Sequence, residues 1–324
     1  LAAAVEPYFR TAVLDAHRAG LSQSGIDDIL YGIRPKLVGL NPTSVNVEEA
    51  QQIAQLCADR GIPVIIGGVH ATLDTHNALI RDFPEALAAV KGPGIFALLK
   101  ILADMKNGTN SEEPGLYYRS NTSENRVDRG REFPLDDIPL VPVDRFVHAP
   151  LNSKTVDIDG NTIALREVSR LETQGCPYNC SYCATPELAG REEKGVKPYI
   201  RPSMKRIVES TRQAVEYGAN SVHFVDDMAF VNPDHYRTFY EGISKFTNPG
   251  VDFFWRGMTR APIIARASEE DLDMLKQSGC WRITIGVESG NEGMLRQINK
   301  RISPDEVFSA VARLHQRGIQ TKAF

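Results

Sequence analysis

The sequence has no long apolar run, no large charge imbalance and few cysteines. No window reaches the about 18 apolar residues of a membrane span, and Glu6 and Arg10 interrupt the short apolar stretch at the start, so no signal peptide is indicated. Lys and Arg number 37 against 41 Asp and Glu, a net charge of −4 that gives no field for nucleic acid or an anionic membrane. Five cysteines are too few for a disulfide scaffold in 324 residues. We therefore expect a globular cytoplasmic protein with neither a nucleic-acid nor a membrane partner.

Two common phosphate-binding motifs are also absent, although residues 1–105 alternate strand and helix patterns. Neither G-x-G-x-x-G after a strand nor G-x-x-x-x-G-K-S/T occurs. Strands are predicted at 10–15, 36–40, 62–66 and 88–90, and helices at 1–9, 26–32, 47–60, from 75 and at 95–105. This order predicts a Rossmann-like parallel sheet, without its first strand, that binds ligands at the carboxyl ends of its strands.

The rest of the chain divides into a polar connector and a second alternating region. Residues 106–160 are rich in Asn, Ser, Glu and Pro, and we predict an ordered connector with a small hairpin at 115–118. From 161 to 324, strands are predicted at 163–172, 221–225, 252–257, 282–287 and 319–324, with helices between them. Five such strands do not close a barrel, so we expect a partial barrel that is truncated at its C-terminus.

Three of the five cysteines lie within eight positions. Cys176, Cys180 and Cys183 form C-x3-C-x2-C, and three thiolates on one loop can hold three irons of a [4Fe–4S] cluster. The fourth iron then has no protein ligand and can chelate an amino and a carboxylate group. The alternative is a zinc site, which needs four ligands. The nearest candidate for the fourth, Cys280, is almost a hundred residues away and precedes a predicted strand.

This cysteine spacing and several later segments resemble the radical S-adenosylmethionine (SAM) superfamily. The segments are Tyr182 before the third cysteine, Phe224–Phe230, Trp255–Gly257 and Ile285–Gly290. The resemblance covers 163–324 and implies a partial (β/α)6 barrel that cleaves SAM. It also implies SAM contacts from Tyr182, Asp226, Asp227, Arg256, Glu288 and Ser289. From the residues alone, the two aspartates could instead cap the following helix, and Arg256 could be a surface cation.

The predicted loops of the first region are similar to those of cobalamin-binding domains. The segments are Pro35–Ser44, Ile66–Thr72 and Gly92–Gly94, and glycines there let the backbone approach a flat macrocycle. The resemblance implies cobalamin contacts from Asn41, Thr43, Ser44, Gly67, Gly68, His70, Gly92 and Gly94. Pro93 departs from the Gly-Glu-Gly that is common in the family, the Asn41-Pro42 pair stiffens a loop that is usually Ser-rich, and His70 could merely cap a turn.

A D-x-H-x-x-G match at 15–20 contains His17, the residue type that binds cobalt in methionine synthase. Here the motif follows the strand predicted at 10–15, which aligns with the second strand of that family and not with its first, and its distance to Ser44 is about half of that family's spacing. We therefore expect no cobalt contact from His17.

Together, these resemblances imply an enzyme that reduces SAM to a 5′-deoxyadenosyl radical and methylates an unactivated carbon with cobalamin. The expected partners are a small-molecule or natural-product substrate and a one-electron reductant similar to flavodoxin or ferredoxin. One alternative is radical dehydration, rearrangement or cyclisation with a non-functional cobalamin domain. Another is a non-catalytic cobalamin or cluster sensor.

Overall fold

The chain divides into two compact units, Leu1–His148 and Ala149–Phe324. The computed structural model describes residues 1–16, 19–121, 130, 132, 134–140, 151–190, 197–229, 231, 233–243 and 252–324. His17 lies outside these ranges. No helix within them combines the length and apolar composition that crossing a membrane requires.

The first unit is an α/β sheet. Its strands are β1 (Val38–Leu40), β2 (Val64–Ile66), β3 (Ala88–Val90) and β4 (Leu116–Tyr118). β1, β2 and β3 are parallel neighbours in that order, and β4 pairs antiparallel with β3. The helices are α1 (Ala2–Val5), α2 (Gln23–Ile33), α3 (Val47–Asp59), α4 (Gly68–Leu73), α5 (Thr75–Asn77) and α6 (Ile95–Asn107), with a π-helical turn at Ala78–Asp82 and 3₁₀ turns at Arg119–Asn121 and Leu135–Asp137.

Both faces of this sheet are covered by helices. Ile66 of β2 packs with α2 and α3, whose inner face includes Ala54, whereas its neighbour Ile65 packs with Ile101 of α6. Successive strand residues point to opposite faces, so a strand buried on both sides must be continuously apolar, as Val64–Ile66 is. The parallel order brings the carboxyl ends of β1, β2 and β3 to one edge.

The second unit contains a six-stranded sheet in the order β12-β11-β10-β9-β6-β5 and a two-stranded pair, β7-β8. The strands are β5 (Asn152–Ile158), β6 (Asn161–Arg170), β7 (Gln174–Gly175), β8 (Tyr199–Ile200), β9 (Ser221–Phe224), β10 (Phe254–Thr259), β11 (Cys280–Ile285) and β12 (Gln320–Ala323). The helices are α7 (Thr185–Leu188), α8 (Met204–Glu216), α9 (Pro233–Ile243), α10 (Ala261–Ala265), α11 (Glu269–Gln277), α12 (Glu292–Gln297) and α13 (Pro304–His315). In the large sheet all strands are parallel except β5.

The six-stranded sheet is curled, and its two faces differ. The convex face packs on helices through Trp255, whose ring meets the rings of Phe224 and Phe239 edge-on at 5.8 and 5.7 Å; truncating such a tryptophan to Ala costs about 3–5 kcal/mol. On the concave face, Ile158, Leu165 and Trp281 form a separate apolar cluster. The edge strands approach each other, because the Gln320 side-chain amide donates to the carbonyl of Asp157 at 2.6 Å.

Most predicted elements form, and two expectations need correction. Residues 10–15 carry only an isolated bridge at Val13 rather than a strand; there the Thr11 hydroxyl donates to the Glu6 carboxylate. Residues 106–160, predicted as a connector, contain β4 and β5, and β5 forms a hairpin with β6. The turn of that hairpin is Asp159-Gly160, both at positive φ, a strong hairpin signal that the sequence analysis missed. Predicted strands and helices elsewhere shift by a few residues at their ends.

Candidate functional site

The three clustered cysteines lie on the loop between β7 and α7, among the connections that follow the carboxyl ends of the parallel strands. All three are free: Cys176 is half-buried, Cys180 is buried and Cys183 is exposed. The amide of Cys183 donates to the carbonyl of Cys180 at 3.1 Å. Cys280, in contrast, is buried at the amino end of β11, which is the opposite end of the sheet.

A mononuclear metal site at the cysteine loop would need ligands that converge on one point. Within the described ranges, no three His, Cys, Asp or Glu side chains converge on a point that could hold one metal ion. Convergence of that kind is what a tetrahedral zinc site requires. A cubane cluster takes each thiolate on a different iron, so its ligands stand apart.

Arg260 directly follows β10 and contacts the cysteine loop. Its guanidinium stacks on the Tyr178 ring at 3.8 Å and its Nη1 lies 3.7 Å from Cys180 Sγ. Nη2 donates to the carbonyls of Lys300 and, at 3.3 Å, Arg301. Arg260 is only 6% exposed, and its Nε is buried without an acceptor among the described residues. The Arg260 guanidinium therefore connects the Cys180 thiol to the backbone after α12.

The segment after α12 also supports the loop through polar contacts. The amide of Ser181 donates to the carbonyl of Ile298 at 3.0 Å. The side-chain amide of Asn299 donates to the carbonyl of Asn179 at 2.6 Å. Residues 298–301 thus form a platform for the cysteine loop, and the sequence analysis did not single out any of them.

Asp226 and Asp227 follow β9 and contact the chain on either side of the cysteines. Asp226 Oδ1 accepts hydrogen bonds from the amide of Glu172, at 2.9 Å, and from the amide and hydroxyl of Thr173. The other carboxylate oxygen of Asp226 is buried and has no partner among the described residues. Burial raises the pKa of Asp226. Asp227 is exposed and accepts a hydrogen bond from the Thr185 hydroxyl at 3.1 Å.

Glu288 reaches the cysteine loop through Lys300. Glu288 Oε1 lies 2.8 Å from Lys300 Nζ, which also donates to the Tyr182 hydroxyl at 3.0 Å. Burial alone would raise the pKa of Glu288, but hydrogen bonds from Lys300 and Tyr182 lower it below the ordinary value. A Cβ on Gly286 would lie 2.7 Å from Glu288 Oε1, so glycine at this position leaves room for the carboxylate. The carboxyl edge therefore brings Glu288 and Tyr182 together.

Arg256 and Ser289, the other two predicted SAM contacts, have local partners. Arg256 lies inside β10, three residues before its end, and its guanidinium donates to Glu167 from Nε at 2.9 Å and from Nη2 at 2.7 Å. The Ser289 hydroxyl accepts from the amide of Asn291 at 3.0 Å, just before α12. Arg260 occupies the strand-end position that the sequence analysis gave to Arg256.

In the first unit, the predicted cobalamin loops all follow the carboxyl ends of parallel strands. Gly68 has a φ of +80°, and a Cβ there would lie 1.5 Å from Asn41 Oδ1, so the first two loops are in close contact. His70 Nε2 lies 3.0 Å from Asp82 Oδ2, so that ring nitrogen has a partner within the unit. The amide of Gly92 donates to the Thr72 hydroxyl at 3.1 Å and connects the third loop to α4.

The remaining predicted cobalamin residues line the same edge. Thr43 and Ser44 are exposed, and the Thr43 hydroxyl donates to Asn46 Oδ1 at 3.0 Å. Gly67 follows β2, and Gly94 precedes α6, where a Cβ would lie 3.4 Å from the Leu1 side chain. Two glycine-bearing loops and a first loop with exposed hydroxyl groups form an edge that a flat ligand can approach.

Comparison with known proteins adds to this geometry. An uncharacterized methyltransferase of Pyrococcus horikoshii is 23% identical, and the match covers 98% of this chain and 66% of the relative. The anaerobic magnesium-protoporphyrin IX monomethyl ester cyclase of Rubrivivax gelatinosus is 20% identical over 98% of this chain and 55% of its own length. This chain thus spans between about half and two thirds of these relatives.

A solved structure shares the fold along the chain. The radical S-adenosylmethionine methyltransferase TsrM from Kitasatospora setae, with cobalamin and a [4Fe–4S] cluster bound, gives a TM-score of 0.73 at 20% identity. The match covers 100% of this chain and 64% of TsrM. The model of the radical SAM superfamily matches residues 172–324, which begin four residues before Cys176. Residues 172–324 therefore form a radical SAM domain.

Proposed function

We propose that the chain carries the core of a radical SAM enzyme in which Cys176, Cys180 and Cys183 bind a [4Fe–4S] cluster. The observation that carries this proposal is the loop of three free thiols at the carboxyl edge of a curled parallel sheet. A cluster held by three thiolates keeps one iron without a protein ligand, and that iron can bind the amino and carboxylate groups of SAM. Thiol ligands that must stay reduced fit a cytoplasmic setting.

The same edge offers groups that suit SAM. The buried Asp226 oxygen without a partner can accept a hydrogen bond from an amino group, which would offset the cost of leaving that oxygen unsatisfied. Glu288 can accept hydrogen bonds from ribose hydroxyls, and Tyr182, which is 52% exposed, can contact the adenine. The proposed SAM contacts are Tyr182, Asp226, Asp227, Glu288 and Ser289; Arg256 lies inside β10 and pairs with Glu167, so it is not proposed as a SAM contact.

The groups bound here would supply one-electron cleavage of SAM to a 5′-deoxyadenosyl radical, together with methyl transfer from cobalamin. The chain itself holds these groups in position and shields the reacting atoms from water. Arg260 and residues 298–301 fix the cysteine loop, so that the thiols keep their spacing. The concave face of the sheet provides a partly enclosed surface where a small-molecule substrate can be held away from water. An external one-electron reductant, similar to flavodoxin or ferredoxin, is required.

For the first unit we propose cobalamin binding at the edge formed by Asn41, Thr43, Ser44, Gly67, Gly68, His70, Gly92 and Gly94. The fold likeness to TsrM, a methyltransferase with cobalamin bound, supports this assignment. So does the parallel edge itself, where Gly68 packs tightly against Asn41. The reaction proposed for the whole protein is cobalamin-dependent methylation of an unactivated carbon.

A radical reaction without methyl transfer is the second candidate. Pro93 stiffens the third loop of the first unit, and the Rubrivivax gelatinosus relative is a cyclase. In this version the first unit is structural, and the radical leads to dehydration, rearrangement or cyclisation. Cobalt content separates the two candidates, because only the methylation needs the corrinoid.

The test is anaerobic reconstitution of the 324-residue chain, followed by iron, sulfide and cobalt analysis and an assay for 5′-deoxyadenosine. We expect about four irons and four sulfides per chain. Cys180→Ala should lose both the cluster and SAM cleavage, whereas Cys280→Ala is the matched control and should keep both. Full iron content in Cys180→Ala would contradict the cluster assignment. One zinc and no sulfide would support a structural metal site, and a cluster without SAM cleavage would support a sensor.

A further inference from the structure

The concave face of the curled sheet carries a group of charged side chains below the cysteine loop. Glu167 lies at its centre and is 1% exposed. It accepts hydrogen bonds from Lys154 Nζ at 2.6 Å and from Arg256 Nε and Nη2 at 2.9 and 2.7 Å. Arg282 is the register partner of Arg256 on the next strand. The apolar cluster around Trp281 closes the face beneath these residues.

The charges in this group do not balance. Although burial alone would raise the pKa of Glu167, the hydrogen bonds from Arg256 and Lys154 lower it to about 2, so the carboxylate is ionised at neutral pH. Burial, and then the charge of Arg256, lowers the pKa of the adjacent His223 to about 4, so the imidazole is neutral. Three cations therefore face one anion, and the group carries two excess positive charges.

Arg282 is the cation that lacks an anionic partner. Its guanidinium lies 4.6 Å from the centroid of the Trp281 ring, and no carboxylate of the described residues forms an ion pair with it; the Glu167 carboxylate, which pairs with Lys154 and Arg256, acts on it only at longer range. Its Nε is buried and has no acceptor there. A partly buried cation without a counter-charge costs free energy, since the guanidinium has lost water and gained no anion. A bound anion would offset that cost.

We infer that Arg282, with Lys154 and Arg256, binds an anionic group of the substrate, either a carboxylate or a phosphate. A guanidinium fork matches both groups in a bidentate geometry. Arg256 lies four residues before Arg260, about 13 Å along the strand at roughly 3.3 Å per residue, so the anion would sit well below the cysteine loop. The substrate would then extend from this group toward the carboxyl edge. The assignment of this anion to the substrate rests on the proposed function, whereas the binding of an anion at Arg282 does not.

The binding test uses the full 324-residue chain without cluster or SAM, with inorganic phosphate and acetate as separate probes at constant ionic strength. In the wild type, at least one probe should raise the melting temperature in a saturable way. Arg282→Gln should weaken the apparent Kd roughly tenfold to a hundredfold, since one charged hydrogen-bonding group is lost. Without a probe, this variant should melt no lower than the wild type, because an unpaired cation has been removed.

Arg212→Gln is the matched control, because Arg212 is an arginine of the outer helix α8 that pairs with Glu209 and Glu216. It should respond to the probes like the wild type. An equal response of all three proteins, or no saturable response in any, would overturn the inference. Binding of phosphate alone or of acetate alone would support it and name the class of anion.

A second measurement asks whether the anion belongs to the substrate or to SAM. In the reconstituted protein, SAM should leave the apparent Kd of the probe unchanged if the two ligands occupy separate places. Competition by SAM would overturn the assignment to the substrate and give this site to the SAM carboxylate. A chain that takes up no iron would contradict the proposed function, yet its anion binding could still be read in the first experiment.

Discussion

Arg260→Met removes the cation that connects the cysteine loop to the platform at 298–301. The Nη2 hydrogen bonds to the carbonyls of Lys300 and Arg301 are charged and buried, so their loss costs about 1.5–3 kcal/mol. The stack on Tyr178 contributes about 2 kcal/mol more when shielded from water. The buried Nε has no acceptor among the described residues, so its removal restores about 1 kcal/mol of stability. The expected loss of stability is therefore about 3 kcal/mol.

Calorimetry of the second unit's transition should show this loss as a fall in melting temperature of about 6–12 °C, at roughly 2–4 °C per kcal/mol. A second readout concerns the cluster itself. An N–H group near a thiolate sulfur stabilises the more negative, reduced cluster, and Arg260 Nη1 lies 3.7 Å from Cys180 Sγ. The reduction potential of the reconstituted variant, followed by electron paramagnetic resonance, should therefore become more negative.

Arg266→Met is the control for both readouts. The Arg266 side chain is 76% exposed and pairs with Glu306 at the surface, so its loss should change stability by less than about 0.5 kcal/mol. Melting temperatures that are equal in the two variants would refute the energetic reasoning. A destabilised Arg260→Met protein with an unchanged potential would refute the role at the sulfur and leave Arg260 a part of the fold.

Three further predictions concern other parts of the chain. Lys300→Met should raise the pKa of Glu288, so the affinity for SAM, measured by equilibrium dialysis on reconstituted protein, should fall most toward pH 5; an unchanged pH profile would contradict this. His223 has a folded-state pKa lowered to about 4, so the folded state binds fewer protons than the unfolded state between about pH 4 and 6.5, and stability is lost as the pH falls through that window. Urea unfolding at pH 6.5 and 4.5 should therefore show a smaller loss in His223→Gln than in the wild type, and equal losses would count against it. Gly68→Ala should destabilise the first unit by at least about 1 kcal/mol more than Gly61→Ala: both need a positive φ, which costs about 1–2 kcal/mol, but only at Gly68 does the added Cβ collide with a side chain. Equal denaturation midpoints for these two variants would refute the close packing.

Local chemistry made many elements of the fold predictable. Ser303 and Pro304 predict the start of α13. The structure has a capping box there, in which Ser303 Oγ accepts a hydrogen bond from the amide of Glu306 at 3.2 Å. The apolar run Val64–Ile66 likewise predicts a strand covered on both faces. The edge strand β5 was missed because its alternation is weak and its composition resembles the polar stretch before it; only the Asp159-Gly160 turn distinguishes it.

The site was predictable only where residue type and strand end coincide. Parallel strands carry their carboxyl ends to one edge, so Asp226 and Glu288 could be placed beside the cysteines from the order of elements. Arg256 was chosen as the arginine at a predicted strand end, but β10 continues to Thr259, so Arg260 is the arginine that directly follows the strand. Strand ends predicted from a sequence are often wrong by two residues. Here that difference decides which arginine lies beside a cysteine thiol.

The supports of the cysteine loop had no signature to find, because they act largely through backbone atoms. The carbonyls of Ile298, Lys300 and Arg301 accept hydrogen bonds that any residue could provide at those positions. The side chains that take part are those of Arg260, Asn299 and Lys300. Arg260 and Lys300 are cations less than one-tenth exposed. Buried cations are costly unless they meet negative charge. Lys300 meets the carboxylate of Glu288, whereas Arg260 lies beside Cys180 Sγ, where the proposed cluster would supply the negative charge.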